Sequence, residues 1–195
     1  MFDSLADAPG LSEMDLLAGR EVLHFAPERQ LRGRIAACAR RYVTADFDRG
    51  DCDLTLDMSG MPSVGDASFD MVIACDVLEH IPEDRKAMSE ARRVLRRGGN
   101  AIFTVPQKDS PSTTDEDTTV KEFAERERRF GQRDHVRIYG DDFSARLCAE
   151  GFAVQEVTAA AFSDETCSRH VLSPPQSNPH PLATNQRRIY IARAG

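Results

Sequence analysis

The sequence predicts an α/β protein built on a doubly wound, mostly parallel sheet with helices on both faces. Short runs that are almost continuously apolar, such as residues 69–75, are typical of strands buried on both faces. Amphipathic segments alternate with these runs, and residues 28–40 place Leu31 and Ile35 on one helical face. Alternating strands and helices favour parallel strands joined by crossover helices.

The first half of the chain supplies most of the predicted sheet. A short covering helix is expected at 11–18, because Leu11, Met14 and Leu17 have helical spacing. The clearest element is a helix from Pro82 to Arg97, with acids near its positive end and arginines before two glycines. In chain order the other elements are strand 21–26, helix 28–40, strand 42–46, strand 53–57 and strand 69–75.

The second half is predicted to finish the sheet with an antiparallel pair at one edge. Strand 100–106 precedes a long polar stretch, and a helix at 141–150 leads to strand 152–158. No clear helix separates that strand from a last one at 188–192, so these two are expected to be antiparallel. We expect a single domain over 1–195, with 1–20 as an N-terminal cover and 107–140 and 163–186 as loops on the substrate side.

Composition excludes several classes of protein. Of the 195 residues, 41% are hydrophobic and 29% charged, which is typical of a soluble globular domain. The 25 Lys and Arg against 32 Asp and Glu give a net charge of -7, which argues against a nucleic-acid ligand. We expect a cytoplasmic protein, because we see no secretion signal, no bilayer-length apolar run and no C-x-x-C pair. The five histidines show no paired spacing, so no metal site is expected.

Acidic residues end three successive predicted strands. In open α/β sheets ligands bind at the carboxyl ends of the strands, where the strand order reverses. Asp46 follows the first strand by about 20 residues, the spacing at which a carboxylate accepts ribose hydroxyls. Asp57 is placed to accept the amino group of adenine, with the Met58 amide for a ring nitrogen, and Asp76 ends the next strand. For any one of these acids an exposed loop carboxylate is the alternative.

Two stretches carry a resemblance to a known family. D-M-S-G-M-P-S-V-G-D-A-S-F-D-M-V-I-A-C-D-V-L-E-H-I-P-E-D and E-A-R-R-V-L-R-R-G-G-N-A-I-F-T-V-P resemble the middle of a class I methyltransferase that uses S-adenosylmethionine (SAM). The resemblance covers roughly 20–106, and F-G-Q-R-D-H-V-R-I-Y-G is similar to one subgroup. It implies a seven-stranded sheet with a reversed last strand, and SAM converted to S-adenosylhomocysteine. The expected cofactor-binding set is His24, Phe25, Ala26, Glu28, Asp46, Phe47, Asp57, Met58, Cys75 and Asp76.

The first loop departs from the family pattern. The family shows a glycine-rich loop after the first strand, whereas His24-Phe25-Ala26-Pro27-Glu28 contains no glycine. Close glycine approach matters most for a pyrophosphate, which SAM lacks, so the departure argues against NAD or FAD. Glu28 is expected to receive the amino group of the methionine moiety. The missing glycines leave open a methyltransferase-like protein that binds but does not catalyse.

Methyl transfer to a small-molecule acceptor is the leading functional hypothesis. Catalysis would rest mainly on positioning, with His80 or His135 as a general base, although each is also compatible with a structural or solvated role. Arg137 and Tyr139 are expected to bind the substrate as part of a lid over a small polar or anionic acceptor. The Arg-rich stretch 126–137 keeps an RNA or protein acceptor as a weaker alternative, and a homodimer is left open.

Overall fold

A computed structural model describes residues 16–109, 113–170 and 178–195. The strands of the main sheet are β1 (Glu21–Phe25), β2 (Arg41–Asp46), β3 (Leu54–Thr55), β4 (Phe69–Cys75), β5 (Leu95–Thr104), β8 (Phe152–Thr158) and β9 (Arg188–Ala194), and a separate pair is β6 (Asp115–Glu116) and β7 (Arg137–Ile138). The helices are α1 (Arg29–Cys38), α2 (Asp84–Val94), α3 (Phe123–Phe130), α4 (Phe143–Ala149) and α5 (Asp164–His170). None of the helices described combines the length and apolar character needed to cross a bilayer. The helix expected at 11–18 lies mostly outside the described residues.

The predicted seven-stranded sheet is confirmed, with the order β3-β2-β1-β4-β5-β9-β8. Strands β1 to β5 pair in parallel, and β9 runs antiparallel to both of its neighbours, β5 and β8. The chain builds outward from β1 to β3 and then returns to place β4 against the other side of β1. The strand order therefore reverses between β1 and β4, where such sheets bind their ligands.

Helices cover both faces of the sheet, as predicted. Alternate residues of β4 enter two separate cores: Val72 and Ala74 pack with side chains of α2 and α4, whereas Ile73 packs with Ile35 of α1. Because every central strand is buried on both faces, its sequence is apolar at successive positions rather than at every second one.

The helix predicted to reach Arg97 is shorter than expected. It ends at Val94, and Leu95 already pairs with Phe69 as the first residue of β5. Arg96 therefore lies on a strand, where its guanidinium contacts Asp70 at 2.9 Å and Glu21 at 3.1 Å. The positive charge of Arg96 is therefore neutralised by these two carboxylates and not by the negative end of a helix.

Residues 107–140 form more structure than the loop predicted there. β6 and β7 pair in antiparallel orientation, and α3 lies between them in the chain, ending at Gly131 with φ 90°. Two-residue strands and an eight-residue helix give almost no periodic signal, so the sequence pattern did not reveal them. This segment packs against the turn at Leu78–His80 and contributes one wall of the cleft described next.

Candidate functional site: a carboxylate-lined cleft

A cleft of about 620 Å³ opens at the carboxyl ends of the parallel strands. It lies where the strand order reverses, between β1 and β4, and extends along the ends of β2 and β3. The residues that line it are Phe25, Ala26, Asp46, Phe47, Asp48, Leu56, Asp57, Met58, Ser59, Asp76, Val77, His80, Ile81, Pro82, Glu83 and Asp134. The fold alone thus brings four separate strand-end loops to one cavity.

The structure places most, though not all, of the expected site residues around this cleft. Those that line it are Phe25, Ala26, Asp46, Phe47, Asp57, Met58, Asp76 and His80. Those that do not are His24, Glu28, Cys75, His135, Arg137 and Tyr139. Pro27 is buried outside the cleft and does not obstruct it.

Short local turns fix the two carboxylates that were expected to bind a nucleoside. Oδ1 of Asp46 accepts the backbone N–H groups of Asp48 and Arg49 at 3.2 and 3.3 Å. Oδ1 of Asp57 accepts the backbone N–H and the hydroxyl of Ser59 at 2.8 and 2.7 Å. In each turn one oxygen is used for orientation. The second oxygen of Asp46 lies 3.9 Å from the Arg49 guanidinium, and in both residues the second oxygen can accept bonds from a ligand.

Two residues at the switch point adopt left-handed backbone conformations. Ala26 follows β1 with φ 45°, and Asp76 follows β4 with φ 52°. Both are held by backbone bonds, from Ala26 N–H to the Ala45 carbonyl and from Asp76 N–H to the Thr104 carbonyl, each 2.9 Å. Left-handed φ is costly for residues with a Cβ and is concentrated at functional sites. Ala26 therefore supplies a backbone conformation that glycine adopts without strain.

The charged residues that line the cleft are mostly acidic. Six of its lining residues are acids, and none of the lining residues is a lysine or arginine. Carboxylates that converge on one cavity favour a cationic ligand and repel an anionic one. The acids are Asp46, Asp48, Asp57, Asp76, Glu83 and Asp134.

Glu28 is paired with the buried His24 beside the cleft and is not a free acid within it. His24 is fully buried, with its two ring nitrogens 2.9 Å from the Tyr42 hydroxyl and 3.0 Å from Oε2 of Glu28. Burial is the largest single influence on the pKa of Glu28 and raises it, but the hydrogen bonds from His24 and from the backbone, with smaller electrostatic contributions, together lower the pKa of the carboxyl. The expected salt bridge from Glu28 to a ligand amine would have to share this carboxylate. Cys75 is also buried, and burial raises the pKa of its thiol.

Arg137 and Tyr139 do not fit the expected role of a substrate lid. Arg137 is 0% exposed and donates to the carbonyls of Leu78 (2.7 Å), Ile81 and Pro82 (2.8 Å). Tyr139 is also fully buried and donates its hydroxyl to Asp84 at 2.9 Å. Both side chains face inward, so they hold the backbone that forms the cleft wall and do not touch its contents.

The two histidines proposed as bases have different environments. His80 lines the cleft, and its Nδ1 lies 3.3 Å from Oδ2 of Asp134. His135 is 2% exposed and lies behind it, with the two rings 4.8 Å apart in an edge-to-face arrangement. Burial lowers the pKa of His135 and raises that of the neighbouring Glu79 to about 8. His80 is therefore the candidate base that can reach a molecule in the cleft.

The arginines of 126–133 are engaged within the protein. Arg129 bonds Asp115 at 2.7 Å and Asp117 at 2.9 Å, and Arg128 pairs with Glu125. Arg133 lies over the ring of Phe123. Because Arg128 and Arg129 are paired with acids, the segment gives little support to a phosphate-binding surface.

Comparisons with known proteins support the same reading of the fold. A family model described as a methyltransferase domain matches residues 33–103, which include Asp46, Asp57 and Asp76. Solved methyltransferases share this fold, with TM-scores of 0.62 and 0.57 for the two described below. The fold is that of the class I methyltransferases. No curated protein matches the sequence.

Similar structures differ in what they do. A SAM-dependent methyltransferase from Mesorhizobium loti is 14% identical over 99% of this chain and 100% of its own, with a TM-score of 0.62. The 1,6-didemethyltoxoflavin-N1-methyltransferase of Burkholderia thailandensis, solved with 1,6-didemethyltoxoflavin and S-adenosylhomocysteine, is 15% identical over 91% and 72%, with a TM-score of 0.57. The cyclase SpnF is 16% identical over 99% and 79%, with a TM-score of 0.64. At these identities the likeness establishes the fold, and the reaction has to be argued from the site.

Sequence reasoning missed the far end of the cleft. Ile81, Pro82 and Glu83 follow His80 directly, and Asp134 precedes His135, so their neighbours had been singled out. The missing signal is spatial, because the contact between 78–83 and 134–137 joins segments more than 50 residues apart.

Proposed function

We propose that this protein is a SAM-dependent methyltransferase acting on a small molecule that carries no negative charge. The observation that carries the proposal is the cleft at the switch point of a methyltransferase fold, lined by six acids and by no lysine or arginine. SAM bears a sulfonium and an ammonium group, and a carboxylate-lined cavity favours such a cationic ligand.

The cofactor would occupy the end of the cleft formed by β1, β2 and β3. Asp46 is oriented to accept the ribose hydroxyls, and Asp57 to accept the amino group of adenine. Phe47 lines the cleft with 72% of its surface exposed, a cost that stacking against an adenine ring would offset. Ala26 and Asp76 flank the place left for the methionine part.

Methyl transfer requires the acceptor to be held in line with the departing sulfur. SAM, when bound, supplies the methyl group and leaves as S-adenosylhomocysteine. The chain contributes alignment and exclusion of water through Ile81, Pro82 and Val77, which form the apolar wall beside His80. Where the acceptor must lose a proton, His80 is placed to receive it, and Asp134 orients the ring.

The acceptor follows from the size and charge of the remaining space. A volume of about 620 Å³ is in the range of small-molecule pockets, and it must hold the cofactor as well. Arg137 is unavailable for an anionic group, so the anionic acceptor considered from the sequence is replaced by an uncharged or cationic one. The Burkholderia thailandensis enzyme, bound to a small heteroaromatic acceptor, gives this class a precedent on the same fold.

The structure removes the main reason for considering a non-catalytic role. That alternative rested on the absence of glycine after β1, and Ala26 adopts the left-handed φ that glycine would provide. We therefore favour the enzyme over a binding protein of the same fold.

Calorimetric titration with S-adenosylhomocysteine tests the proposal. We expect S-adenosylhomocysteine to bind the wild type. Its affinity should fall about tenfold or more in each of Asp46→Asn and Asp57→Asn, because each variant replaces a charged carboxylate, which accepts strong hydrogen bonds, with a neutral amide. Asp66→Asn removes an exposed carboxylate outside the cleft and should bind as the wild type does. Absence of binding to the wild type would defeat the proposal, and equal affinity in all variants would defeat the site assignment.

A further inference from the structure

Glu79, His80 and His135 form a compact group at the inner wall of the cleft. One ligand atom from each lies within 4.8 Å of the others, although His135 is 55 positions from His80. We propose that these three residues bind a divalent transition-metal cation of the zinc type. The site goes beyond the proposed methyl transfer, which does not require it.

Unsatisfied buried atoms point to a missing partner at this place. Glu79 is 1% exposed and His135 is 2% exposed, and Oε2 of Glu79 and Nε2 of His135 have no hydrogen-bond partner in the described part of the chain. Oε1 of Glu79 and Nε2 of His135 are 4.0 Å apart, too far for a direct hydrogen bond. Buried polar groups are normally paired, so an unpaired imidazole nitrogen 4.0 Å from a carboxylate that also has an unpaired oxygen calls for a third species between them.

The separation and the donor types suit a transition metal. A zinc ion binds imidazole nitrogen and carboxylate oxygen at about 2.0–2.2 Å, so two ligand atoms of one ion lie at most about 4.2 Å apart. The 4.0 Å between Oε1 of Glu79 and Nε2 of His135 is within that limit, and side-chain rotation would bring the whole group, whose ligand atoms lie within 4.8 Å, around the ion. Two imidazoles and one carboxylate are a donor set for zinc or iron, whereas magnesium and calcium prefer oxygen donors alone. Three protein ligands leave further coordination positions for water or for a ligand in the cleft.

A hydrogen bond orients the imidazole of His135, and a contact with a carboxylate orients that of His80. Nδ1 of His135 faces the Phe130 carbonyl at 3.3 Å, and Nδ1 of His80 faces Asp134 at 3.3 Å. Metal-bound histidines commonly use one nitrogen in this way, which aims the other at the metal. The backbone N–H of Val136 donates to the carbonyl of Glu79 at 3.0 Å and fixes the two segments together.

The surrounding charges also suit a cation. Asp76 and Asp134 add negative charge near Glu79, whereas Arg137, the nearby cation, is committed to three backbone carbonyls and to Glu116. The sequence did not predict this site because its histidines show no paired spacing, and only the contact between 78–83 and 134–137 brings them together. A cation here would engage His80, which would then hold the metal instead of receiving a proton from the acceptor.

Metal binding by tag-free protein tests the site directly. Protein stripped with a chelator and kept reduced with a phosphine is titrated with Zn²⁺ by calorimetry and with Co²⁺ by visible absorption. We expect one high-affinity cation per chain, cobalt bands typical of nitrogen and oxygen ligands, and no comparable binding of Mg²⁺. Glu79→Gln and His135→Asn each keep the side-chain shape and should weaken binding at least about tenfold.

Controls separate this site from other donors and from misfolding. His180→Asn alters an exposed histidine outside the cluster and should bind metal as the wild type does. The stripped variants should melt cooperatively, so that lost binding is not lost folding. Wild-type affinity in Glu79→Gln and His135→Asn, or a thiolate-to-cobalt charge-transfer band, would overturn the proposal. Titration of the stripped protein with S-adenosylhomocysteine keeps the two proposals distinguishable, since cofactor binding should persist without metal.

Discussion

The strand-end loops and segment 107–140 build the same cleft in opposite ways. In the loops, polar side chains are satisfied within two or three residues, as Asp57 is by Ser59. In the segment they are satisfied across the fold, as Arg137 is by Leu78, 59 positions away, and Tyr139 by Asp84, 55 positions away. Local turns therefore orient the strand-end carboxylates through contacts that are close in sequence, whereas the far wall forms only when both segments have docked.

The largest expected effect comes from breaking that docking. Arg137→Met should lower the free energy of unfolding by about 3–5 kcal/mol, because it leaves the carbonyls of Leu78 and Pro82 without their donor and removes one of the two arginines that bind Glu116. Urea denaturation followed by circular dichroism measures the change.

Two further variants define the reason for that loss. Arg137→Lys keeps the charge with fewer donors and should fall between the wild type and Arg137→Met. Arg128→Met removes an exposed arginine of the same segment and should leave the urea midpoint unchanged. Equal midpoints for all four proteins would show that the far wall does not depend on this network.

A smaller change in stability, of opposite sign, is expected in the strand-end loops. Ala26→Gly should raise the free energy of unfolding by about 0.5–1 kcal/mol, because relief of the left-handed strain exceeds the entropy that glycine adds to the unfolded chain. Ala67→Gly, with φ 50°, should be stabilising in the same way away from the cleft. Ala39→Gly, with φ -72°, has no strain to relieve and should not be stabilising. Thermal melts compare the three.

The smallest effect concerns the pH dependence of segment 107–140. The bond from Arg146, helped by Arg137, lowers the pKa of Glu116 below its usual 4.5. The folded pKa is the lower one, so Glu116 is stabilising above about pH 4.5, and this contribution is lost as the pH falls through the folded pKa. Glu116→Gln should flatten the loss of stability in acid, measured as urea midpoints between neutral pH and about pH 3. Glu122→Gln, whose side chain makes no capping bond, should retain the wild-type slope.

The sequence predicted the parts of the molecule whose signal is periodic or local. The apolar runs located β1, β2, β4, β5, β8 and β9, and the strand ends gave Asp46, Asp57 and Asp76 their common edge. The boundary of α2 was wrong because a strand pairing at Leu95 competes with continuation of the helix.

Burial of polar side chains in the second half could not be predicted in the same way. Arg137 and Tyr139 were interpreted as exposed lid residues, since arginine and tyrosine in a polar stretch usually lie at the surface. Their partners come from the turn after β4, and no pattern within 107–140 encodes that contact. The same reason hides the proximity of His135 to Glu79.

The position of β9 has a consequence for assembly of the sheet. This strand follows all the others in the sequence, yet it lies between β5 and β8 and bonds to both. During synthesis β8 has no neighbour to join until residues 188–194 have emerged, so β5 would present an open edge throughout that interval. Self-association of nascent or truncated chains through that edge is the hazard that this topology creates.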